Sequence, residues 1–165
     1  MPFFLFCIAI MFSAVAAAQE QKVLVVHSYH QGFFWTDSIQ RGFDQQLEGR
    51  QLDTRVLYLD SKRSQSQHFF SQLESLYRTK LSEEHFDAIV VSDNNALALM
   101  QRLSSVIKDT PVIFCGINNY HPALHQGLNA TGVIEDVDLS ANLALIERLH
   151  PTHKQILIYQ NIFQE

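Results

Sequence analysis

His27-x-x-His30 and His121-x-x-x-His125 have the spacing of metal ligands. A metal site needs three or four converging ligands, and nothing in the sequence makes these loops meet. Ser28, His30 and Asp93 are the residue types of a hydrolytic triad. No Gly-x-Ser-x-Gly elbow accompanies them, and nothing orders the histidine against the serine. Cys115 ends the apolar run Val112-Ile113-Phe114-Cys115, the setting of a buried thiol rather than a nucleophile. A receiver-type site would place paired acids after the first strand, where His27 and Ser28 stand. A Gly-rich phosphate loop is absent, and no cofactor is implied. The remaining chemistry is that of recognition. Ser28 can donate or accept a hydrogen bond. Tyr29 and Trp35 can stack on a flat or apolar surface. Asp93 can hold an amine, and Asn118 and Asn119 can serve an amide, carboxylate or hydroxyl. Each has a plainer alternative. The rings can pack beside a helix, Asp93 and Asn94 can cap one, and Asn118-Asn119 can form a turn after Gly116. Asp60 and Lys62 can pair on a rim, where such a pair contributes little.

These residues sit in an alternating pattern of elements. Val23–Val26 is a continuous apolar run, the mark of a strand buried on both faces. Thr36 or Asp37 can cap a helix with Ile39, Phe43 and Leu47 inward, stopped near Gly49. Arg55–Leu59 reads as a second strand. Phe69, Leu73, Leu76, Tyr77 and Leu81 mark one face of a second helix. Ala88–Val91 is a third strand, followed by a helix capped at Asn94 or Asn95 with Leu99, Met100, Leu103, Val106 and Ile107 inward. Val112–Phe114 is a fourth strand, and Gly132–Ile134 a short fifth. Ser140 caps a last helix through Leu149, stopped by Pro151, and Gln155–Tyr159 reads as a final strand. This order predicts an α/β domain with a parallel sheet and helices on both faces. In such sheets ligands bind beyond the carboxyl ends of the strands. That rule selects 27–37, 60–63, 92–95, 115–120 and 135–138, segments rich in polar and aromatic residues, as befits a small-molecule pocket.

Composition narrows the class. The 165 residues are 47% hydrophobic with a net charge of −5, which excludes a disordered chain and argues against a nucleic-acid partner. Sixteen of the first 18 residues are apolar and none is charged. An apolar core ending in Ala16-Ala17-Ala18 reads as a secretory signal peptide cut after Ala18 and predicts a periplasmic product. The alternative is a membrane anchor over residues 3–18. A cleaved chain keeps only Cys115 and has no internal disulfide. Asn129-Ala130-Thr131 matches a glycosylation acceptor, which marks a loop.

Five ordered segments carry a resemblance: residues 23–37 (VLVVHSYHQGFFWTD, continuing as Gln40-Arg41-Gly42-Phe43), 58–63 (YLDSKR), 91–97 (VSDNNAL), 111–119 (PVIFCGINN) and 131–136 (TGVIED). Together they resemble the ABC-transporter substrate-binding protein family of the type I periplasmic fold. The branch is that found as the extracytoplasmic sensor region of bacterial histidine kinases and diguanylate cyclases. The resemblance covers about residues 22–160. It implies two lobes closing on a small-molecule ligand, with residues 19–135 as the first lobe and 136–165 as the crossover and incomplete start of the second, in a chain that is truncated. Ser28, Tyr29, Trp35, Asp93, Asn94, Asn118 and Asn119 are then the expected ligand-binding residues, with Glu135 at the junction of the lobes. The implied partners are an ABC permease or a sensor-kinase or cyclase output module, and catalysis is not expected. A small exported α/β hydrolase using Ser28 or Cys115 is the alternative.

Overall fold

The computed structural model describes residues 20–158; residues 1–18, expected as a signal peptide, and Tyr159 lie outside the described residues. Five strands, β1 (Gln21–His27), β2 (Leu52–Tyr58), β3 (Ala88–Ser92), β4 (Val112–Ile117) and β5 (Ala130–Ile134), form one sheet in the order β2-β1-β3-β4-β5. Every pairing is parallel. The helices are α1 (Phe34–Leu47), α2 (Gln67–Glu83), α3 (Asp93–Arg102), a single turn α4 (Ser104–Ile107) and α5 (Leu139–Leu149), with a 3-10 turn at Pro122–His125. The chain is therefore α/β, as the alternation of apolar runs and helical periodicity predicts. No helix of the described residues is long and apolar enough to cross a membrane.

Period-two alternation divides the sheet into two faces. Leu24, Val26, Ile89, Val91, Val112 and Phe114 point to one face and meet Tyr77 and Leu81 of α2, and Leu97, Leu99 and Met100 of α3, in the main hydrophobic core. Val25 and His27 point to the other face, where α1 lies: His27 reaches Gln40 of that helix. Ile113 and Val133 share neither core and are exposed. At the β4–β5 seam a side chain would not fit: a Cβ on Gly132 would stand 2.0 Å from the Phe114 carbonyl oxygen. Glycine is the residue that lets these backbones approach.

Several expected boundaries move, each for a local reason. α1 begins at Phe34, so Thr36 and Asp37 lie in its first turn; Asp37 instead accepts from the Gly32 amide at 2.9 Å. α3 begins at Asp93 after Ser92, not at Asn94 or Asn95, and breaks at Leu103 before α4. α5 is capped by Asp138, which accepts from the Ala141 amide at 2.8 Å; Ser140 lies inside the helix. The strand expected at Gln155–Tyr159 does not form over residues 155–158. A strand needs a neighbour for its backbone groups, and residues 155–158 pair with no strand of the sheet, leaving Leu157 94% exposed.

Candidate functional site

In the order β2-β1-β3-β4-β5 the connection leaves β1 toward one edge and β3 toward the other. The carboxyl ends of β1 and β3 thus flank a topological switch point, the place where open parallel sheets hold ligands. Four of the expected residues are joined there. The Trp35 indole Nε1 donates to Asp93 Oδ1 at 3.1 Å. Asn94 Nδ2 donates to the Asn118 carbonyl and Asn94 Oδ1 accepts from the Asn118 amide, both at 2.9 Å. Asn94 therefore mimics a backbone partner and ties the start of α3 to the loop after β4.

Asp93 is nearly inaccessible, at 2% exposure, and has φ 66°. A left-handed non-glycine residue costs of order 1–2 kcal/mol and persists only where its surroundings impose it. Here the strand-to-helix turn imposes it and aims the carboxylate at Trp35. Opposite stands Gly116, also with positive φ; a Cβ there would meet Asp93 Oδ1 at 3.3 Å and Trp35 Cζ2 at 3.5 Å. The absence of a side chain at 116 leaves the indole and carboxylate room to meet.

Other expected residues are placed differently. Ser28 is fully buried; its Oγ donates to the Ser92 carbonyl at 2.7 Å and accepts from the Ala96 amide at 2.8 Å. From the end of β1 it satisfies an amide in the first turns of α3, and its single hydroxyl hydrogen is committed to the Ser92 carbonyl. Tyr29 is also buried, edge-on to Phe33, with the Lys62 ammonium 4.4 Å from its ring centroid. Lys62 thus stands over aromatic rings, and Asp60 faces His30 at 3.4 Å and Arg63 at 3.8 Å. The expected Asp60–Lys62 pair is replaced by these contacts. Asn119 is exposed with φ 49°, the turn conformation that asparagine tolerates. Glu135 is exposed, and its amide donates to the Ile117 carbonyl at 2.9 Å, which sets it beside the Asn118 loop.

The nucleophile candidates are chemically quiet. Burial, with a smaller contribution from the Asp93 charge, pushes the Cys115 thiol up to about 11, and its Sγ lies 3.7 Å from the Val91 carbonyl. The histidine pairs do not converge. His27 bonds Ser92 and Gln40 while His30 faces Asp60; His121 accepts from the Ala123 amide while His125 meets the Tyr120 hydroxyl. Among the described residues no group of three metal-ligating side chains converges.

Beneath the site lies a polar lattice whose His27, Ser61, Ser92 and Asn95 fall in the strand-end segments but are not among the expected ligand contacts. His27 Nδ1 lies 2.8 Å from Ser92 Oγ and Nε2 lies 2.8 Å from Gln40 Oε1. Ser61 Oγ donates to the Ser28 carbonyl at 2.7 Å and accepts from Asn95 Nδ2 at 3.1 Å. Period-two alternation from Val25 would have turned His27 toward the α1 face, but the partner on that helix is not visible in any local spacing.

A larger concavity, about 800 Å³, lies at the opposite end of the sheet, between the turns at 82–87 and 105–111. Of its charged lining residues, Glu84 already takes Lys22 at 3.0 Å and Arg55 at 2.5 Å. The smaller cluster at the carboxyl ends is the better site, because buried polar groups converge where the strand order reverses. Comparison of the chain with protein-family models, curated proteins and solved structures gave no match in any of the three.

Proposed function

We propose that the chain is an exported solute-binding domain of the type I periplasmic kind, whose ligand rests on the carboxyl ends of β1, β3 and β4. The observation that carries this reading is the Trp35–Asp93–Gly116 cluster: a strained, buried carboxylate held against an indole that is 38% exposed, at the switch point of a parallel sheet. Trp35 and Asn118 offer the ligand a flat apolar surface and an amide. Asp93 polarises the indole N–H and orients the ring. Asn94 holds Asn118 in place through backbone bonds. Tyr29 and Ser28 support the floor rather than touch the ligand, and Asn119 and Glu135 form the rim. Capture of a small molecule in this manner serves an ABC permease or a transmembrane sensing module equally. The hydrolase alternative is disfavoured by a Ser28 hydroxyl committed on both sides and by a Cys115 thiol held protonated.

The test is a thermal-shift screen of amino acids, nucleobases and small sugars, since a ligand that binds only the folded state raises the melting point. Trp35→Ala and Asn118→Ala should each weaken the binding of a hit tenfold or more, while the melting point of the free protein stays nearly unchanged. Asn94→Ala should lower that melting point as well. Loss of intrinsic stability with unaltered affinity in the first two variants would assign both residues to the scaffold.

A further inference from the structure

The floor of the site contains one group that can change charge near neutrality. His27 is fully buried at the end of β1, an interior strand, and its ring is stacked on Tyr58 at 5.3 Å between centroids. Its proton can be assigned from its neighbours. Gln40 Nε2 donates to Asp44 Oδ1 at 2.7 Å, so Gln40 Oε1 faces His27 as an acceptor. Nε2 of His27 must then carry the hydrogen, and Nδ1 must accept from the Ser92 hydroxyl. Ser92 immediately precedes Asp93, and its carbonyl takes both the Ser28 hydroxyl and, at 3.2 Å, the Ser28 amide. A proton added at Nδ1 would face the Ser92 hydroxyl hydrogen. The hydroxyl would have to turn away, at the foot of the turn that holds Asp93 in its left-handed conformation.

We propose that His27 is an acid-sensitive switch: its protonation reverses the Ser92 hydrogen bond and loosens the Asp93 turn, releasing Trp35 from Asp93. The groups facing His27 set the threshold. α1 presents Gln40 and, farther off, the carboxylates of Asp37 and Asp44; β2 presents the Tyr58 ring; β3 presents only the Ser92 hydroxyl. Burial lowers the pKa of His27 from the ordinary 6.5, and the Gln40 bond and the two carboxylates oppose that shift without cancelling it. The switch therefore operates on the acid side of 6.5, with the neutral, locked form prevailing at pH 7. It concerns the site described above, but none of its readouts uses a ligand, so its failure would leave the binding proposal standing.

Trp35 is the only tryptophan, so its fluorescence reports the Asp93 turn directly. Titrated from pH 8 to 4.5, the folded protein should show a Trp35 transition centred below 6.5 while far-ultraviolet circular dichroism stays constant. His27→Gln, which can still accept from Ser92 and donate to Gln40, should abolish the transition. Asp93→Asn should retain it, which separates it from titration of Asp93. A transition that persists in His27→Gln, or none in the wild type before unfolding, would overturn the proposal. Should His27→Gln fail to fold, ¹⁵N-NMR of the wild type decides. A neutral ring protonated at Nε2, titrating together with the Trp35 indole N–H signal, supports the switch; an Nδ1-protonated ring or independent titration overturns it.

Discussion

Ser28 illustrates how a residue picked for its hydroxyl can prove to be structural. Its Oγ is both donor and acceptor inside a fully buried site. Replacing it with alanine strands the Ala96 amide at the start of α3, and an unsatisfied buried group costs about 1–3 kcal/mol. We expect Ser28→Ala to lower the unfolding free energy by that amount, seen in equilibrium urea denaturation as a lower midpoint with an unchanged m-value. The residue types at the strand ends were legible because parallel sheets present those positions together. Their division into exposed and buried side chains was not. Tyr29 and Trp35 are six positions apart and equally aromatic, yet one is sealed under Lys62 and the other faces solvent. That distinction depends on partners such as Asp93 and Lys62, which lie far away in sequence.

The elements themselves were written plainly where apolar periodicity was strong. β1, β3 and β4 lie where their β-branched runs place them, and α2 turns Tyr77 and Leu81 inward as its spacing requires, whereas Leu76, expected on the same face, is exposed. Caps were read less well, because several side chains competed for each helix start. Asp138 rather than Ser140 caps α5, and Ser28, from a different strand, serves α3. The run at 155–158 has the composition of a strand but no neighbour to pair with, and composition does not record a neighbour. Gly132 allows a test at this scale. A Cβ there would collide with backbone at 2.0 Å, where no flexible side chain can yield. Gly132→Ala should detach β5, with amide protection at 130–134 lost in hydrogen exchange while β1 and β3 keep theirs. Retained protection would show that the β4 backbone can shift to accommodate the methyl group.

At the scale of the whole molecule, stability is distributed unevenly. The core joins α2, α3 and α4 to one sheet face, whereas no residue of α5 is buried. Residues 139–158 should therefore exchange their amides orders of magnitude faster than β1 and β3, since regions with few buried contacts open locally. Equal protection would reveal packing on an additional partner. Global stability should also fall with acid. The folded pKa of His27 lies below 6.5, so the unfolded chain binds the extra proton first. The contribution is complete above 6.5 and is lost as pH falls from there through the folded value, with a slope of at most about 1.4 kcal/mol per pH unit. Denaturation at pH 7 and pH 5 will show this as a drop that His27→Gln diminishes.

The strand order has a temporal consequence. β1 is the first strand of the described residues to be made, yet it occupies an interior place in the sheet, between β2 and β3. Its two flanks close only when residues 52–58 and then 88–92 have left the ribosome. Until then the buried run Leu24–Val26 lacks its strand neighbours, and pairing across such sequence distances is intrinsically slow. A polypeptide built this way is exposed to chaperones early and commits to its fold late.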